Sequence, residues 1–331
     1  MTVIVTGAAG HVGNSLVRLL LERGESVRAM VHQDRRALDE LDVECVSADV
    51  TDVESLKAAF VGCDIVYHAA AFISIWGSRD AAHLRKVNIE GTANVLTACK
   101  AAGVRRLAHV SSIHALSPYP EAETIDETRE ASLSAKFPHY DRSKAESERL
   151  AFDAAKGGLE VVVIIPTAVI GPHDYKPSLQ GRMLMDYYNH RLPTLVDGGY
   201  NWVDVRDVAE GMRLAAERGR SGERYILGGV WASFSDLAAL INTVPGARAP
   251  RLVAPHWMAY LGVPFAALQG WLTGKRPLLT SDAVKVVRLH RHISTAKAER
   301  ELGYVHRPLA ETVADAYAWF DKHGLLNGKA Q

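Results

Sequence analysis

Short apolar segments alternate with helix-period segments through the first half of the chain. The apolar segments are rich in β-branched residues and lack polar alternation, as expected for strands buried on both faces of a parallel sheet. These predicted strands are residues 3–5, 27–31, 44–46, 65–67, 107–110 and 161–165. The predicted helices between them are residues 11–22, 55–60, 81–102 and 141–155. This alternation predicts an α/β fold with a doubly wound parallel sheet.

The regular alternation is lost after Pro166, where prolines become frequent. We expect a first domain over residues 1–171 and a smaller, interleaved lobe mainly over residues 172–331. Residues 200–228 are expected to return to the first domain. Further elements are predicted at residues 206–217 (helix), 224–227 (strand), 233–242 (helix beginning at Ser233) and 309–323 (amphipathic helix).

Composition narrows the functional classes. The chain has 331 residues, of which 48% are hydrophobic, and its formal net charge is zero. A large core is therefore available, and the absence of a basic surplus argues against nucleic-acid binding. Three cysteines without metal-ligand spacing indicate a reducing compartment, a cytoplasmic location and no bound metal. Because the first strand begins near residue 3, we expect no signal peptide.

Residues 252–272 are the most membrane-like part of the chain. Pro255, His256, Pro264 and Gln269 interrupt this apolar segment and are expected to break it into short pieces. A transmembrane helix needs about 20 nearly uninterrupted apolar residues, so no membrane span is predicted. Contact with a membrane surface is left open.

A glycine-rich segment follows the first predicted strand and opens the first predicted helix. Gly7, Gly10 and Gly13 allow a tight turn, a close backbone approach to a pyrophosphate and close helix–strand packing. The pyrophosphate would lie on the free N–H groups of the helix, near His11 and Val12. At this position in a first βαβ unit, the spacing predicts a dinucleotide site.

The end of the second predicted strand bears on the choice between NAD and NADP. Chains that bind NAD place Asp or Glu there to hold the ribose 2′-hydroxyl, whereas here the strand ends in His32 and Gln33. Arg36 and His32 are candidates to hold a 2′-phosphate, so NADP(H) is favoured over NAD(H). In the alternative interpretation, Arg35 and Arg36 belong to a solvated helix start that Asp34 caps.

Two further strand ends contribute candidate cofactor contacts. Asp49 and Val50 follow the third strand, where they would meet the adenine edge. Ala69, Ala70 and Ala71 follow the fourth strand and would form a small-residue floor under the nicotinamide ribose.

Tyr140 and Lys144 are four residues apart within a predicted helix, so their side chains share one face. A lysine ammonium beside a tyrosine favours the phenolate and lowers the phenol's pKa. Such a tyrosine can donate a proton to a carbonyl oxygen or accept one from an alcohol. Ser111 and Ser112, at the end of a predicted strand, offer a hydroxyl for the same oxygen. Alone, a Tyr-x-x-x-Lys pair is common by chance; behind a glycine loop it predicts catalysis.

The chain resembles the extended short-chain dehydrogenases/reductases nearly from end to end. The motifs that carry the resemblance are Thr6-Gly7-x-x-Gly10-x-x-Gly13, Asp49, His68-Ala69-Ala70, the segment 87–92, Ser111-Ser112, Tyr140 with Lys144, Pro166-Thr167 and the segment 203–209. The resemblance implies a Rossmann-type cofactor domain with Ser112, Tyr140 and Lys144 as catalytic residues. It also implies that Pro166, Thr167 and Val169 contact the cofactor, and that helices 81–102 and 141–155 form a homodimer face.

The resemblance also assigns a role to Asn88. In this family the corresponding residue kinks its helix and holds a water molecule in the proton path. The alternative is an ordinary polar residue on a helix surface.

Departures from the family pattern favour one branch. Ala168 stands where sugar-nucleotide epimerases usually carry Asn, and Ile113-His114 follow Ser112 where dehydratases carry Asp-Glu. The segment 165–172 instead resembles dihydroflavonol 4-reductases, including their bacterial hopanoid-associated relatives, and 3β-hydroxysteroid dehydrogenases. An apolar pocket for a hydrophobic small molecule is expected. Its candidate residues, some of which could instead be lobe core, are Phe72, Ile73, Ile75, Trp76, Met183, Tyr187, Tyr188, Trp257, Tyr260 and Trp271.

We therefore predict an NADP(H)-dependent oxidoreductase that reduces a ketone or aldehyde, or oxidises the alcohol, with Tyr140 as general acid/base. A sugar-nucleotide epimerase with a retained NAD is one alternative. A non-enzymatic NADP-binding redox sensor is the other, although sensors of this fold tend to lose the tyrosine or the lysine. His114 and His139 flank the predicted serine and tyrosine and are expected either to relay protons or to be structural.

Overall fold

The computed structural model of the protein describes residues 1–192, 194–273, 277 and 279–326. Its first half contains the predicted alternation of strands and helices, with bounds that differ by one or two residues. In chain order the elements are β1 (Thr2–Thr6), α1 (His11–Glu22), β2 (Ser26–Val31), β3 (Glu44–Ser47), α2 (Val53–Phe60), β4 (Ile65–His68), α3 (Ala81–Leu84), α4 (Gly91–Ala102), β5 (Arg106–Val110), α5 (His139–Lys156) and β6 (Glu160–Pro166).

The second half is less regular and contains shorter strands. Its elements are β7 (Ala168–Ile170), α6 (Leu179–Tyr188), β8 (Leu195–Val196), β9 (Gly199–Asp204), α7 (Val205–Arg218), β10 (Glu223–Leu227), β11 (Val230–Ser233), α8 (Phe234–Ile241), β12 (Val253–Ala254), α9 (His256–Thr273), α10 (Ser281–Val286), α11 (Ala296–Leu302) and α12 (Leu309–Lys322). Residues 327–331, which the predicted lobe included, lie outside the described residues.

The main sheet has seven parallel strands in the order β10-β6-β5-β4-β1-β2-β3. Helices cover both faces. Leu16 of α1 and Met212 of α7 pack on one face, and Leu56 of α2 and Val95 of α4 pack on the other. The middle of β6 is fully buried, which explains its uninterrupted apolar sequence. The predicted doubly wound α/β fold is confirmed.

A smaller unit surrounds a three-stranded sheet in the order β11-β9-β7. Its core is aromatic and includes Trp202, Phe234, Tyr317 and Phe320. The chain enters this sheet through β7 and β9, then returns to the main domain through α7 and β10, and comes back to the small sheet with β11. The lobe is therefore interleaved with the main domain.

The predicted helix over residues 81–102 is interrupted by a π-helical segment, Arg85–Glu90. Asn88 lies inside it and is buried. The Asn88 amide binds both backbone groups of Phe72, and the Thr92 hydroxyl donates to the Asn88 carbonyl over 2.7 Å. These contacts draw Asn88 out of α-helical register, so its alternative interpretation as a surface residue is wrong.

The expectation that prolines would break residues 252–272 into short pieces is also wrong. Residues 256–273 form the continuous helix α9, with Pro264 inside it. Pro264 and Tyr260 are both exposed, so water can reach the carbonyl that loses its N–H partner, and the cost of the proline is reduced. Among the described residues, no helix combines the length and apolarity needed to cross a bilayer.

Candidate active site

The glycine loop is held by an unusually close approach between β1 and the segment after β4. Gly7 has a φ of +67°, and a Cβ there would lie 2.7 Å from the Ala70 nitrogen. A Cβ on Gly13 would lie 2.2 Å from the Gly7 carbonyl oxygen. Only glycine fits at either position, which leaves a shallow backbone cradle at the carboxyl edge of the sheet.

The cradle opens onto the N-terminus of α1. Gly10 is the residue that precedes the helix, and no side chain caps it. The N–H groups of His11, Val12 and Gly13 have no partner within the helix, since the first intrahelical bond runs from Asn14 to Gly10. Three free donors at the positive end of a helix fit a pyrophosphate. The His11 ring lies 2.9 Å from the Pro172 carbonyl oxygen and so ties the loop to the start of the second lobe.

The end of β2 carries no carboxylate, but an acid lies close by. Asp34 accepts two hydrogen bonds from the Arg36 guanidinium, over 2.7 and 3.0 Å. This pairing lowers the pKa of Asp34 to about 2. His32 and Arg36 are both exposed, and the His32 ring lies 3.3 Å from Asp49. The two residues predicted to bind a 2′-phosphate are thus accessible, and each has an acidic neighbour.

The other predicted cofactor contacts lie along the same edge. Asp49 accepts from the Thr51 N–H over 2.8 Å, and Val50 packs against Gly91. Ala69 and Ala70 are half-buried beside the Gly7 turn, whereas Ala71 is exposed.

The segment after β6 also ends at this edge. Pro166 pairs with Leu227 of β10, and the Thr167 hydroxyl donates to Asn201 over 2.9 Å. Val169 packs against the core beneath α1.

Ser112, Tyr140 and Lys144 are brought together by β5 and α5. The Ser112 hydroxyl lies close enough to Tyr140 to lower its pKa, and it accepts a hydrogen bond from the His114 N–H. The buried Lys144 ammonium donates to the Val110 carbonyl over 2.7 Å. One proton donor, one hydroxyl and one cation thus lie beside the cofactor cradle, which is the set that carbonyl reduction requires.

The pKa values of Tyr140 and Lys144 differ from those expected from the sequence. Desolvation raises the pKa of Tyr140 to about 12, although its bond to Ser112 acts in the opposite direction. Burial also lowers the pKa of Lys144 to about 8. The expected lowering of the tyrosine pKa by the lysine is therefore wrong for this structure, because desolvation of the buried Tyr140 hydroxyl is the largest influence on that pKa.

The two adjacent serines, Ser111 and Ser112, have different hydrogen-bond partners. Ser111 donates to Glu148 over 2.7 Å, and Glu148 is paired with Arg224 over 2.8 Å. Arg224 also donates to the carbonyls of Glu127 and Arg129. Ser111 is therefore engaged in joining β5, α5 and β10, which leaves Ser112 as the serine that faces Tyr140.

Asn88 supports the loop that follows β4. Besides both backbone groups of Phe72, its amide contacts Ser143 of α5 over 3.0 Å. This side chain therefore connects the substrate-side loop to the helix that carries Tyr140 and Lys144.

The predicted apolar substrate residues do not form one pocket. Tyr187 is buried in the core of the smaller lobe, and Met183 and Tyr188 pack against that core. Trp257 and Trp271 are exposed on α9. Phe72, Ile73, Ile75 and Trp76 lie in the loop after β4. Because parallel sheets bind ligands at the carboxyl ends of their strands, that loop retains its predicted place beside the site.

Sequence reasoning missed the acidic partner of His114. His114 Nδ1 lies 3.2 Å from Asp141, and its ring meets Tyr140 edge-on with ring centres 5.6 Å apart. Burial alone would lower the pKa of His114, but Asp141 outweighs it and the pKa is raised. The neighbouring His290 is buried, and its own pKa is lowered to about 3. Asp141 directly follows Tyr140, but a single sequence does not show that its carboxylate turns inward.

The raised pKa of His114 predicts a pH-dependent contribution to stability. The ion pair contributes fully below the ordinary histidine pKa of about 6.5, and its contribution is lost as pH rises through the folded value. We expect His114→Gln to lower the free energy of unfolding more at about pH 6 than at about pH 9. Urea unfolding at both values measures this difference, with His139→Gln as the neighbouring control. A loss that is the same at both values would contradict the assignment.

Comparison with known proteins identifies the family to which the chain belongs. Residues 3–228 match the model of the NAD dependent epimerase/dehydratase family. The chain is 34% identical to a protein from Synechocystis sp. provisionally named dihydroflavonol 4-reductase, over 97% of this chain and 95% of that protein. It is also 34% identical to sterol demethylase protein B from Methylococcus capsulatus, over 98% and 100% of the two chains.

A solved structure with a different functional description shows the same fold. It is described as a nucleoside-diphosphate-sugar epimerase from Pseudomonas aeruginosa, is 27% identical, covers 99% of both chains and superposes with a TM-score of 0.80. The matched family model, the glycine cradle and the Ser112, Tyr140 and Lys144 arrangement agree. The chain is an NAD(P)-dependent oxidoreductase that belongs to the NAD dependent epimerase/dehydratase family, within the extended short-chain dehydrogenases/reductases.

Proposed function

We propose that the protein is an NADP(H)-dependent reductase or dehydrogenase acting on a ketone, aldehyde or alcohol of a hydrophobic small molecule. The observation that carries this proposal is the buried group of Ser112, Tyr140 and Lys144, in which the Lys144 ammonium is bonded to the end of β5 and the Ser112 hydroxyl is close enough to lower the pKa of Tyr140. This group lies at the sheet edge where the glycine cradle fits a dinucleotide.

The bound cofactor supplies or accepts the hydride. In the reductive direction Tyr140 donates its proton to the substrate oxygen, and Ser112 holds that oxygen with a second hydrogen bond. Desolvation keeps Tyr140 protonated before the reaction, which suits a general acid. Lys144 is held at the end of β5 by the Val110 carbonyl and would bind the ribose of the cofactor there.

Asn88 acts in this proposal as a positioning residue. Its amide fixes Phe72 at the substrate-side loop and contacts Ser143 on α5. The π-helical turn that surrounds it supports the kink that the family resemblance implies. The water of the proton path would be held at the same amide.

Two observations support a hydrophobic substrate: the apolar loop after β4 and the names of two relatives. The loop after β4 presents Phe72, Ile73, Ile75 and Trp76 beside the site, and apolar linings suit rings and chains better than diphosphosugars. The relatives named sterol demethylase protein B and dihydroflavonol 4-reductase point to the same class. The three cysteines are unpaired, which supports the proposed cytoplasmic location.

The proposed catalytic roles predict a graded series of variants. Tyr140→Phe removes the proton donor and keeps the ring, so turnover should fall by about 10²–10⁴ with cofactor affinity nearly unchanged. Lys144→Ala should weaken both turnover and cofactor affinity, because the lysine would also hydrogen-bond the cofactor's ribose. Ser112→Ala should lower turnover less than Tyr140→Phe does. Turnover is followed by cofactor absorbance with a panel of hydrophobic ketones, aldehydes and alcohols, and affinity by fluorescence titration.

Tyr188→Phe is the matched control, because Tyr188 packs in the smaller lobe away from these residues. It should retain turnover on whichever substrate the wild type reduces. Near-normal turnover in Tyr140→Phe would overturn the mechanism.

The NADP preference is tested at the end of β2. Arg36→Ala should weaken NADP(H) binding by about tenfold or more and leave NAD(H) binding unchanged, since a charged contact to the 2′-phosphate is lost. Asp34→Asn should strengthen NADP(H) binding, because it removes the carboxylate that holds Arg36. Arg35→Ala is the matched control, since Arg35 pairs with Asp39 instead. Tighter binding of NAD(H) by the wild type would reject the preference.

A sugar-nucleotide epimerase is the second candidate, favoured by the fold shared with the Pseudomonas aeruginosa protein that is described as such an enzyme. Ala168 and Ile113-His114 argue against it, because those residues replace the ones that epimerases and dehydratases use. We expect no epimerised or dehydrated product when UDP-sugars are incubated with the enzyme and analysed by NMR. Turnover above the buffer control would replace the reductase proposal with the epimerase.

A further inference from the structure

Helix α9 presents its large apolar residues to solvent. Spacings of three and four residues place them on one side of the helix. Opposite them, Ala259 is buried, and a Cβ on Gly262 would lie 3.0 Å from Leu279. The small residues therefore face the protein. The exposed apolar residues, together called the α9 surface, are Trp257, Met258, Tyr260, Leu261, Phe265, Leu268, Trp271 and Leu272.

This orientation is costly unless the surface is covered. Proteins rarely expose contiguous apolar patches of this kind, and those that do use them for binding. The α9 surface combines long aliphatic side chains with Trp257, Tyr260 and Trp271, the residue types that concentrate at membrane–water interfaces. A helix with such a face lies parallel to a bilayer, with its apolar side about 5–10 Å into the headgroup boundary.

The charges around α9 decide which partner fits. No Asp or Glu occurs over residues 237–281, whereas Arg248, Arg251, Lys275 and Arg276 fall within that segment. Arg248 and Arg251 are exposed. Basic residues close to an anionic lipid surface are attracted to it. A second copy docking through the same surface around a two-fold axis would instead bring like charges together.

We infer that the α9 surface docks on an anionic phospholipid bilayer. The segment after α9 is tied to the substrate-side loop, because the Thr280 hydroxyl donates to the Ile75 carbonyl over 2.9 Å and the Trp76 indole donates to the Pro277 carbonyl over 3.0 Å. Docking therefore brings the rim of the active site to the membrane. The docking does not rest on the proposed chemistry, and it is measured without a substrate.

The test uses the full chain and vesicles of phosphatidylcholine with or without phosphatidylglycerol. We expect co-sedimentation with the anionic vesicles, weakened by salt, and a blue shift of tryptophan fluorescence. Phe265→Glu/Trp271→Glu should weaken binding by about tenfold or more, because two apolar side chains leave the lipid and two negative charges meet it.

Val61→Glu/Val305→Glu is the matched control. Val61 and Val305 are 63% and 78% exposed, against 74% and 79% for Phe265 and Trp271, and they lie outside the α9 surface. The control should bind vesicles almost as the wild type does. Thermal unfolding checks that the variants fold. If Phe265→Glu/Trp271→Glu does not fold, Leu268→Ser/Leu272→Ser takes its place in the vesicle assay.

Three results would overturn the inference. The first is a wild type that does not bind anionic vesicles, and the second is a control that loses binding as much as the α9 variant does. The third is a wild type that does not bind vesicles but forms a dimer in sedimentation velocity, where Phe265→Glu/Trp271→Glu dissociates the dimer. That result would make a second copy the occupant.

Discussion

The close approach of Gly7 to the backbone of Ala69 and Ala70 is the constraint on which the site depends. A side chain at Gly7 would push the end of β1 away from the segment after β4. Strands β1 and β4 are neighbours at the centre of the sheet. Their contact shapes the cradle and directs the N-terminus of α1 toward it. It also places the loop after β4, and with it Phe72, at a fixed height above the sheet. Cofactor site and substrate loop therefore share one support.

A second set of contacts holds the catalytic helix against this support. Asn88 joins α5 to the Phe72 loop through Ser143, and Lys144 joins α5 to the end of β5 through the Val110 carbonyl. Because Tyr140 lies one turn before Lys144, its hydroxyl is positioned by buried bonds made elsewhere on the helix. Precision at the reacting atoms comes from such surrounding contacts more than from the reacting residues themselves.

Much of the fold could be predicted because its strands are buried on both faces, which leaves apolar runs that a single sequence displays plainly. The Tyr140 and Lys144 pair was visible for a similar reason, since helical spacing alone puts both on one face. The π-helical turn at Asn88 was not, because it depends on a bond to Phe72, sixteen residues earlier in the chain. The pKa of Tyr140 depends on the burial of its hydroxyl in the folded protein, and the continuity of α9 depends on the exposure of Pro264. Each of these is a tertiary property that local sequence does not encode.

The Glu148–Arg224 pair has a consequence for biosynthesis. All three proposed catalytic residues precede residue 145, but the guanidinium that binds Glu148 and the carbonyls of Glu127 and Arg129 arrives with β10. While the chain is still emerging from the ribosome, α5 and the segment before it lack this anchor until Arg224 has left the exit tunnel. A nascent chain that stalls before that point would carry the complete catalytic sequence with an unfinished scaffold. Synthesis order thus delays a competent site until the last strand of the main sheet is in place.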